Sequence, residues 1–170
     1  ILNSNDYGLR LSSSSNNNIL INNVAKSNRN YGVSLIGSSN NNFSGSNFTG
    51  NSVSLEGSST NNIFLNTTYS SETVTMGSEL IRKWYYRVYV NDSNGNNVSG
   101  ANITAYNTAG AYQFNLTTDA TGYTGTEEII DYVNTGSKSY YSNYTIWAIN
   151  ATYNDKSVSY NVTLNENNLE

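Results

Sequence analysis

The chain has 170 residues and a net charge of −4; 36 % of it is hydrophobic, 12 % is charged, and it contains no cysteine, histidine or proline. That composition excludes a disulfide framework, removes the commonest general base and a major nucleophile class, and with few scattered Lys and Arg argues against nucleic acid as a partner. No apolar run approaches the ~18 residues needed to span a bilayer, and none of these residues reads as a secretory leader.

Asn, Ser and Thr together exceed 40 % of the residues. Soluble enzymes carry about 25 % charged residues, so this chain draws its solubility from amides and hydroxyls or from attached sugars. High polarity favours disorder, but the absence of proline, the 15 tyrosines and the phase of the apolar residues oppose it.

The first half repeats. Tyr7-Gly8-Leu9-Arg10-Leu11 leads to Ser14-Ser15-Asn16-Asn17-Asn18. Tyr31-Gly32-Val33-Ser34-Leu35 leads to Ser38-Ser39-Asn40-Asn41-Asn42, and Asn51-Ser52-Val53-Ser54-Leu55 leads to Ser58-Ser59-Thr60-Asn61-Asn62. The offsets are 24 and then 20 residues, and a fading fourth copy places Val74 and Met76 in phase. After each Asn run comes a short apolar strand: Ile19-Leu20-Ile21, Phe43, then Ile63-Phe64-Leu65. A single unit cannot bury its apolar side; stacked units can. Stacking predicts one inner column of Leu9, Val33, Val53 and Val74 and a second of Leu11, Leu35, Leu55 and Met76. Asn17, Asn41 and Asn61 are then expected to form a structural amide ladder between coils, at corners where Asn tolerates left-handed backbone.

The YG-x-x-L-x-x-SSNNN units at 7–18 and 31–42 resemble the right-handed parallel β-helix repeat of the NosD-like and archaeal surface-protein families. The resemblance covers about residues 1–77 and implies about three coils, open at the N-terminal end. It implies a fold and no single function, since β-helices host lyases, adhesins and wall proteins alike. Residues 78–83 read as a linker or cap.

Longer alternating strands follow. Trp84, Tyr86, Val88 and Val90 share one phase; Ala101, Ile103 and Ala105 share another; Tyr112, Phe114 and Leu116 come next, and further strands are expected near 126–133, 144–153 and 158–164, the last with Val158, Tyr160, Val162 and Leu164 in phase. Asp92-Ser93-Asn94-Gly95-Asn96 and Thr118-Asp119-Ala120-Thr121-Gly122 are turn signals. This pattern predicts an antiparallel β-sandwich over 84–170. The run Val88–Gly95, Gly100-Ala101-Asn102-Ile103-Thr104 and the Thr118–Gly122 turn look like the carboxypeptidase-regulatory-like, Ig-type module of surface proteins, although Val98 and Ser99 stand where that family usually has proline. The expected class is therefore all-β: a short right-handed parallel β-helix plus an antiparallel Ig-like β-sandwich.

Ten sequons offer glycosylation candidates at Asn42, Asn47, Asn66, Asn91, Asn97, Asn102, Asn115, Asn143, Asn150 and Asn161. Seven of them lie in the second half, twice the roughly three or four that composition alone gives. Asp92, Asn94 and Asn96 present oxygens at alternate positions like the start of a calcium loop, but Ile103 stands where the bidentate Glu of such a loop belongs, so a plain turn is the better reading and no metal or cofactor is expected. The carboxylates Asp6, Glu56, Glu72, Glu127, Glu128 and Asp131 form no column with basic residues, and Glu127, Glu128 and Asp131 read as decoration of a solvated strand. Tyr85, Tyr89, Tyr106, Tyr140, Tyr141 and Tyr153 are candidates for partly exposed aromatics, suited to glycans or interfaces.

These features point to a non-enzymatic, extracellular cell-surface protein. It is expected to be a glycosylated structural subunit that self-associates, or continues into further coils of the same chain, through its open N-terminal coil to build a layer, sheath or filament. An adhesin or carbohydrate-binding module is the alternative, and the remnant of a β-helix lyase or hydrolase comes third. The start at Ile1, in mid-repeat, suggests a piece of something longer.

Overall fold

A computed structural model describes residues 2–3, 5–149, 157–162 and 165–169, all of them strand, turn or loop, with no helix among them. The chain divides into two units, residues 1–83 with 132–139, and 84–131 with 140–170.

The first unit is a β-solenoid of about four turns. Each turn lays one strand on each of its faces. The first contains β1 (Leu2–Asn3), β2 (Tyr7–Ser12) and β3 (Ile19–Ile21); the second β4 (Ala25–Lys26), β5 (Tyr31–Ile36) and β6 (Asn42–Ser44). In the third, β7 (Asn47–Glu56) rounds a corner and serves two faces before β8 (Asn62–Leu65); in the fourth, β9 (Thr68–Val74) does the same before β10 (Leu80–Tyr86). Pairing between turns is parallel throughout, with sheet orders β2-β5-β7-β9 and, on the other long face, β10-β8-β6-β3, a sheet that β13 (Glu127–Asn134) and β14 (Lys138–Tyr140) extend beyond β10.

Alternation dictates the interior. Leu9, Val33 and Val53 stand in register, as do Leu11, Leu35 and Leu55, and Leu20, Phe43 and Phe64 form a third column. Phe43 and Phe64 stack at 4.7 Å, and Phe48 meets Phe43 edge-on at 6.2 Å. The repeated Tyr-Gly has a steric cause. A Cβ on Gly8 would lie 2.4 Å from Ala25 Cβ, and one on Gly32 would lie 2.9 Å from Asn51 Cβ, so only glycine fits at this close approach.

The fourth turn departs from the sequence expectation. Val74 pairs with Leu55, not Val53, and Glu72 takes the place opposite Val53, while Met76 is 94 % exposed. The cause is a bulge: between Phe48 and Ser52, β7 holds two more residues than β9 does between Tyr69 and Ser71, with Gly50 at φ +82°. The columns therefore end in Val74 and Glu72. Nor are residues 78–83 a linker, since Leu80 to Lys83 pair in parallel with Asn62 to Leu65 and complete the fourth turn.

In the second unit, β11 (Asn102–Tyr106), β12 (Tyr112–Thr117), β15 (Tyr144–Ile149) and β16 (Ser157–Val162) form an antiparallel sheet of order β12-β11-β15-β16. Ile103, Ala105, Tyr144, Ile146 and Val162 are buried with Trp84, Tyr86, Val88, Val98 and Ala101, and with Ile129 from β13 (Glu127–Asn134). Phe114 and Leu116 pack against this core while Tyr112 is exposed. The side chains of Val158, Tyr160 and Leu164, read above as in phase with Val162, lie outside the described residues. No described helix is long and apolar enough to cross a membrane.

Candidate functional site

A buried amide ladder exists, but on other residues than Asn17 and Asn61; Asn61 Nδ2 instead donates to Asn40 Oδ1 at 2.7 Å on the surface. Asn41 Oδ1 accepts from Asn18 N at 3.0 Å and Asn18 Nδ2 at 2.9 Å. Asn41 in turn donates its N and Nδ2 to Asn62 Oδ1 at 3.1 and 3.0 Å, and Asn62 Nδ2 donates to Ser38 O. The rungs are thus Asn18, Asn41 and Asn62. Asn17, Asn40 and Asn61 are the left-handed corner residues beside them, with φ of 60°, 58° and 52°, and are exposed. The difference arises from corner length. Ser13 and Ser14 are both left-handed in the first turn and Gly57 and Ser58 in the third, but Gly37 alone in the second. Counting back two residues from the inward Leu20, Phe43 and Phe64 finds the rungs; counting forward from the Leu-x-Leu strands misses them by one. A second ladder, of Asn28 and Asn51, runs along another corner.

The fourth turn closes the solenoid with polar groups. Glu72 stands opposite Val53 and Arg82 opposite Phe64. The Glu72 side chain is 4 % exposed. Tyr69 and Tyr132 hydroxyls both donate to its Oε2 at 2.6 Å, Asn134 Nδ2 donates to Oε1 at 2.7 Å, and Lys138 Nζ lies 3.2 Å from Oε1. Arg82 lies over the Tyr69 ring at 4.5 Å and Lys138 over Tyr132 at 4.1 Å. Burial alone pushes the Glu72 carboxyl up, but the bonds from Tyr132, Tyr69 and Asn134 and the charge of Lys138 outweigh it and hold the group below its ordinary value. Burial raises both tyrosine hydroxyls well above theirs. Both carboxylate oxygens are thus committed to donors, the arrangement of a polar cap. Its partners Tyr132, Asn134 and Lys138 lie 60 or more positions away along the chain, so no local pattern in the sequence marks it.

Among the other acids, Asp6 pairs with Arg29 at 3.2 Å on the surface. Glu56 accepts from Ser54 Oγ. Glu128 is exposed and Glu127 half-buried, but Asp131 is buried and accepts from Trp84 Nε1 at 3.2 Å, so it does not decorate a solvated strand. Among the described residues no group of three or more His, Cys, Asp or Glu gathers to hold a metal.

At the calcium-like loop, Asp92 Oδ1 accepts from the N–H groups of Asn94 and Asn96 at 2.8 and 2.9 Å, and its Oδ2 from Asn96 Nδ2 at 3.0 Å. These bonds, the Asn96 side chain's foremost, lower the Asp92 carboxyl below its ordinary value. They occupy both oxygens with N–H donors, the pattern of an Asx turn.

The sequons separate by unit. Asn42, Asn47 and Asn66 in the solenoid are half-buried, whereas Asn91, Asn97, Asn102, Asn115 and Asn143 in the second unit are exposed; Asn150 and the Asn161 side chain lie outside the described residues. Of the tyrosines considered, Tyr89 and Tyr140 are exposed and Tyr85, Tyr106 and Tyr141 half-buried, while Tyr153 is outside the described residues. Sequence reasoning singled out Tyr106 but missed the cleft it shares with Thr145 and Trp147 in the second unit. There Tyr106, Thr145 and Trp147 line an open cleft of about 400 Å³ together with the turn Asn107–Gly110 and Asn143. No family model, curated protein or solved structure matches this chain.

Proposed function

We propose that the chain is a structural element of a secreted, glycosylated cell-surface protein that assembles into a layer, sheath or filament. The observation that carries this reading is the free edge of the first turn. β2 and β3 are the end strands of their sheets, and no described strand pairs with their outer edges. A flat parallel edge with unpaired N–H and C=O groups is a template for another strand, and solenoid turns stack on one another by that means. Beside this edge Ile19 and Ile21 are 75 % and 61 % exposed, apolar area that a further turn would cover, whether from the same polypeptide or a second copy. The resemblance of the solenoid to right-handed NosD-like repeats and of the second unit to Ig-type modules favours the same reading, as do five exposed sequons on the second unit.

Electron microscopy of native material, with intact mass on the same sample, tests it. Ordered sheets or filaments built of chains heavier than the bare polypeptide are the expected result. Monodisperse particles of bare mass would overturn both assembly and glycosylation.

A further inference from the structure

From the cleft on the second unit we infer a sugar-binding site, built from the outward face of β15 and the turn after β11. This goes beyond the structural reading, which needs no ligand. Along β15 the inward residues Tyr144 and Ile146 are buried, so the alternating positions Thr145 and Trp147 face out; they line the cleft together with Asn143, the left-handed residue just before the strand. Tyr106 lies directly across the strand pair from Thr145, and Thr104 from Trp147. This register places the Tyr106 and Trp147 rings on one surface, two positions apart. Trp147 remains 39 % exposed, and the Tyr106 ring is propped edge-on by Tyr112 at 6.3 Å.

The polar wall is preset. Asn107 Oδ1 accepts the N–H groups of Ala109 and Ala111, both at 3.0 Å, which fixes the side chain and leaves its Nδ2 as a donor toward solvent. Thr108 is held by its bond to Tyr140 O at 3.2 Å. None of the described residues that line the cleft is charged. That excludes the usual means of gripping phosphates or metal ions, and the amides and hydroxyls make a poor lining for a purely apolar guest. Exposed aromatic faces beside neutral amides and hydroxyls match a neutral sugar ring, with its C–H face on the indole and its hydroxyls on the amides.

Two sources could supply that ring: a free glycan, or the glycan of the chain itself. Asn143 and Thr145 are the acceptor and hydroxyl residues of one sequon, and both line the cleft with Trp147. A sugar on Asn143 would thus be delivered to the indole; this second source rests on the proposed glycosylation, and the first does not.

The test uses the full chain made in a host without N-glycosylation, titrated with chitobiose, lactose and mannobiose. Of the two tryptophans, Trp84 is 5 % exposed, so a sugar-dependent change in emission reports Trp147. Saturable quenching or enhancement by at least one sugar is expected. By saturation-transfer NMR, Trp147→Ala should weaken binding by about tenfold or more. Asn107→Ala, which retains the fluorophore, should weaken it severalfold, guarding against a folding defect in the first variant. The same chain from a glycosylating host separates the sources. If mass places a glycan on Asn143, loss of free-sugar binding that Asn143→Gln restores identifies the attached glycan as occupant, and undiminished binding identifies a free one. The inference is overturned if the bare chain binds none of the sugars and Trp147 emission is the same with and without a glycan on Asn143. Failure of assembly in the microscope would leave this result standing, and the converse.

Discussion

The two units solve the same problem, the polar backbone at a bend, in opposite ways. In the solenoid the corner groups are satisfied by the neighbouring turn. Asn18 N reaches Asn41 Oδ1 across 23 positions of sequence, Asn41 N reaches Asn62 Oδ1 across 21, and Ser59 N reaches Ser78 Oγ across 19. In the second unit the bends satisfy themselves: Asp92 takes N–H groups two and four residues ahead, Asp119 the N–H of Thr121, and Asn107 those of Ala109 and Ala111. A solenoid corner is thus meaningless without its neighbours, whereas an Asx turn is complete in a pentapeptide. Order in the first unit has to propagate from turn to turn, while these turns of the second draw their bonds from within a few residues.

The largest expected effect that probes this contrast is Phe43→Ala. It removes the middle ring of the third column, and a loss of about 3–5 kcal/mol is expected by urea denaturation, with amide exchange quickened in the turns on both sides. Exchange confined to the mutated turn would break the claim of coupling. Asn41→Ala comes next. It strips the acceptor from Asn18 and the donor from Asn62 in a buried site, and about 2–3 kcal/mol is expected. Asn107→Ala, at a self-contained and exposed bend, should cost about 1 kcal/mol or less. Equal losses at the two asparagines would erase the distinction between shared and local corners.

Glu72→Gln sharpens the comparison through pH. The folded carboxyl lies below its ordinary value of 4.5, so the unfolded chain takes up the proton first as acid is added. The stability contributed by the ionised group is therefore complete above about pH 4.5 and lost as pH falls through the folded value. The variant should be less stable by about 1–3 kcal/mol near neutrality and should show a shallower acid limb in a pH series of melts; parallel curves would refute the role. The smallest effect belongs to Asn40→Gly: glycine is equally at ease at this left-handed corner, and the bond lost, from Asn61 Nδ2 at 2.7 Å, is exposed to water, so a change within about 0.5 kcal/mol is expected.

The inner columns through the third turn were legible because Leu9, Val33 and Val53, and Leu11, Leu35 and Leu55, keep strict two-residue alternation. What escaped depended on lengths between strands. The two extra residues that β7 holds between Phe48 and Ser52 shift the fourth turn by two, which hid Glu72 among apolar positions and left Met76 in solvent. One left-handed residue more or fewer at a corner moved the ladder from Asn17 and Asn61 to Asn18 and Asn62. Tyr106, Thr145 and Trp147 share a surface only because β11 and β15 pair, which the 37 residues between the two strands do not announce. The buried alternation of Ile103 with Ala105 was, by contrast, plain from the sequence.

Variable corner length also bears on ancestry. The spacing from rung to rung is 23 residues between Asn18 and Asn41 but 21 between Asn41 and Asn62, yet the rungs remain in contact. A turn of this solenoid can gain or lose a loop residue without displacing the layer above it. Copies arising by duplication would therefore drift out of step as strings of letters while staying aligned in space. Kinship among such turns survives in which amide meets which, long after the count between them has been lost.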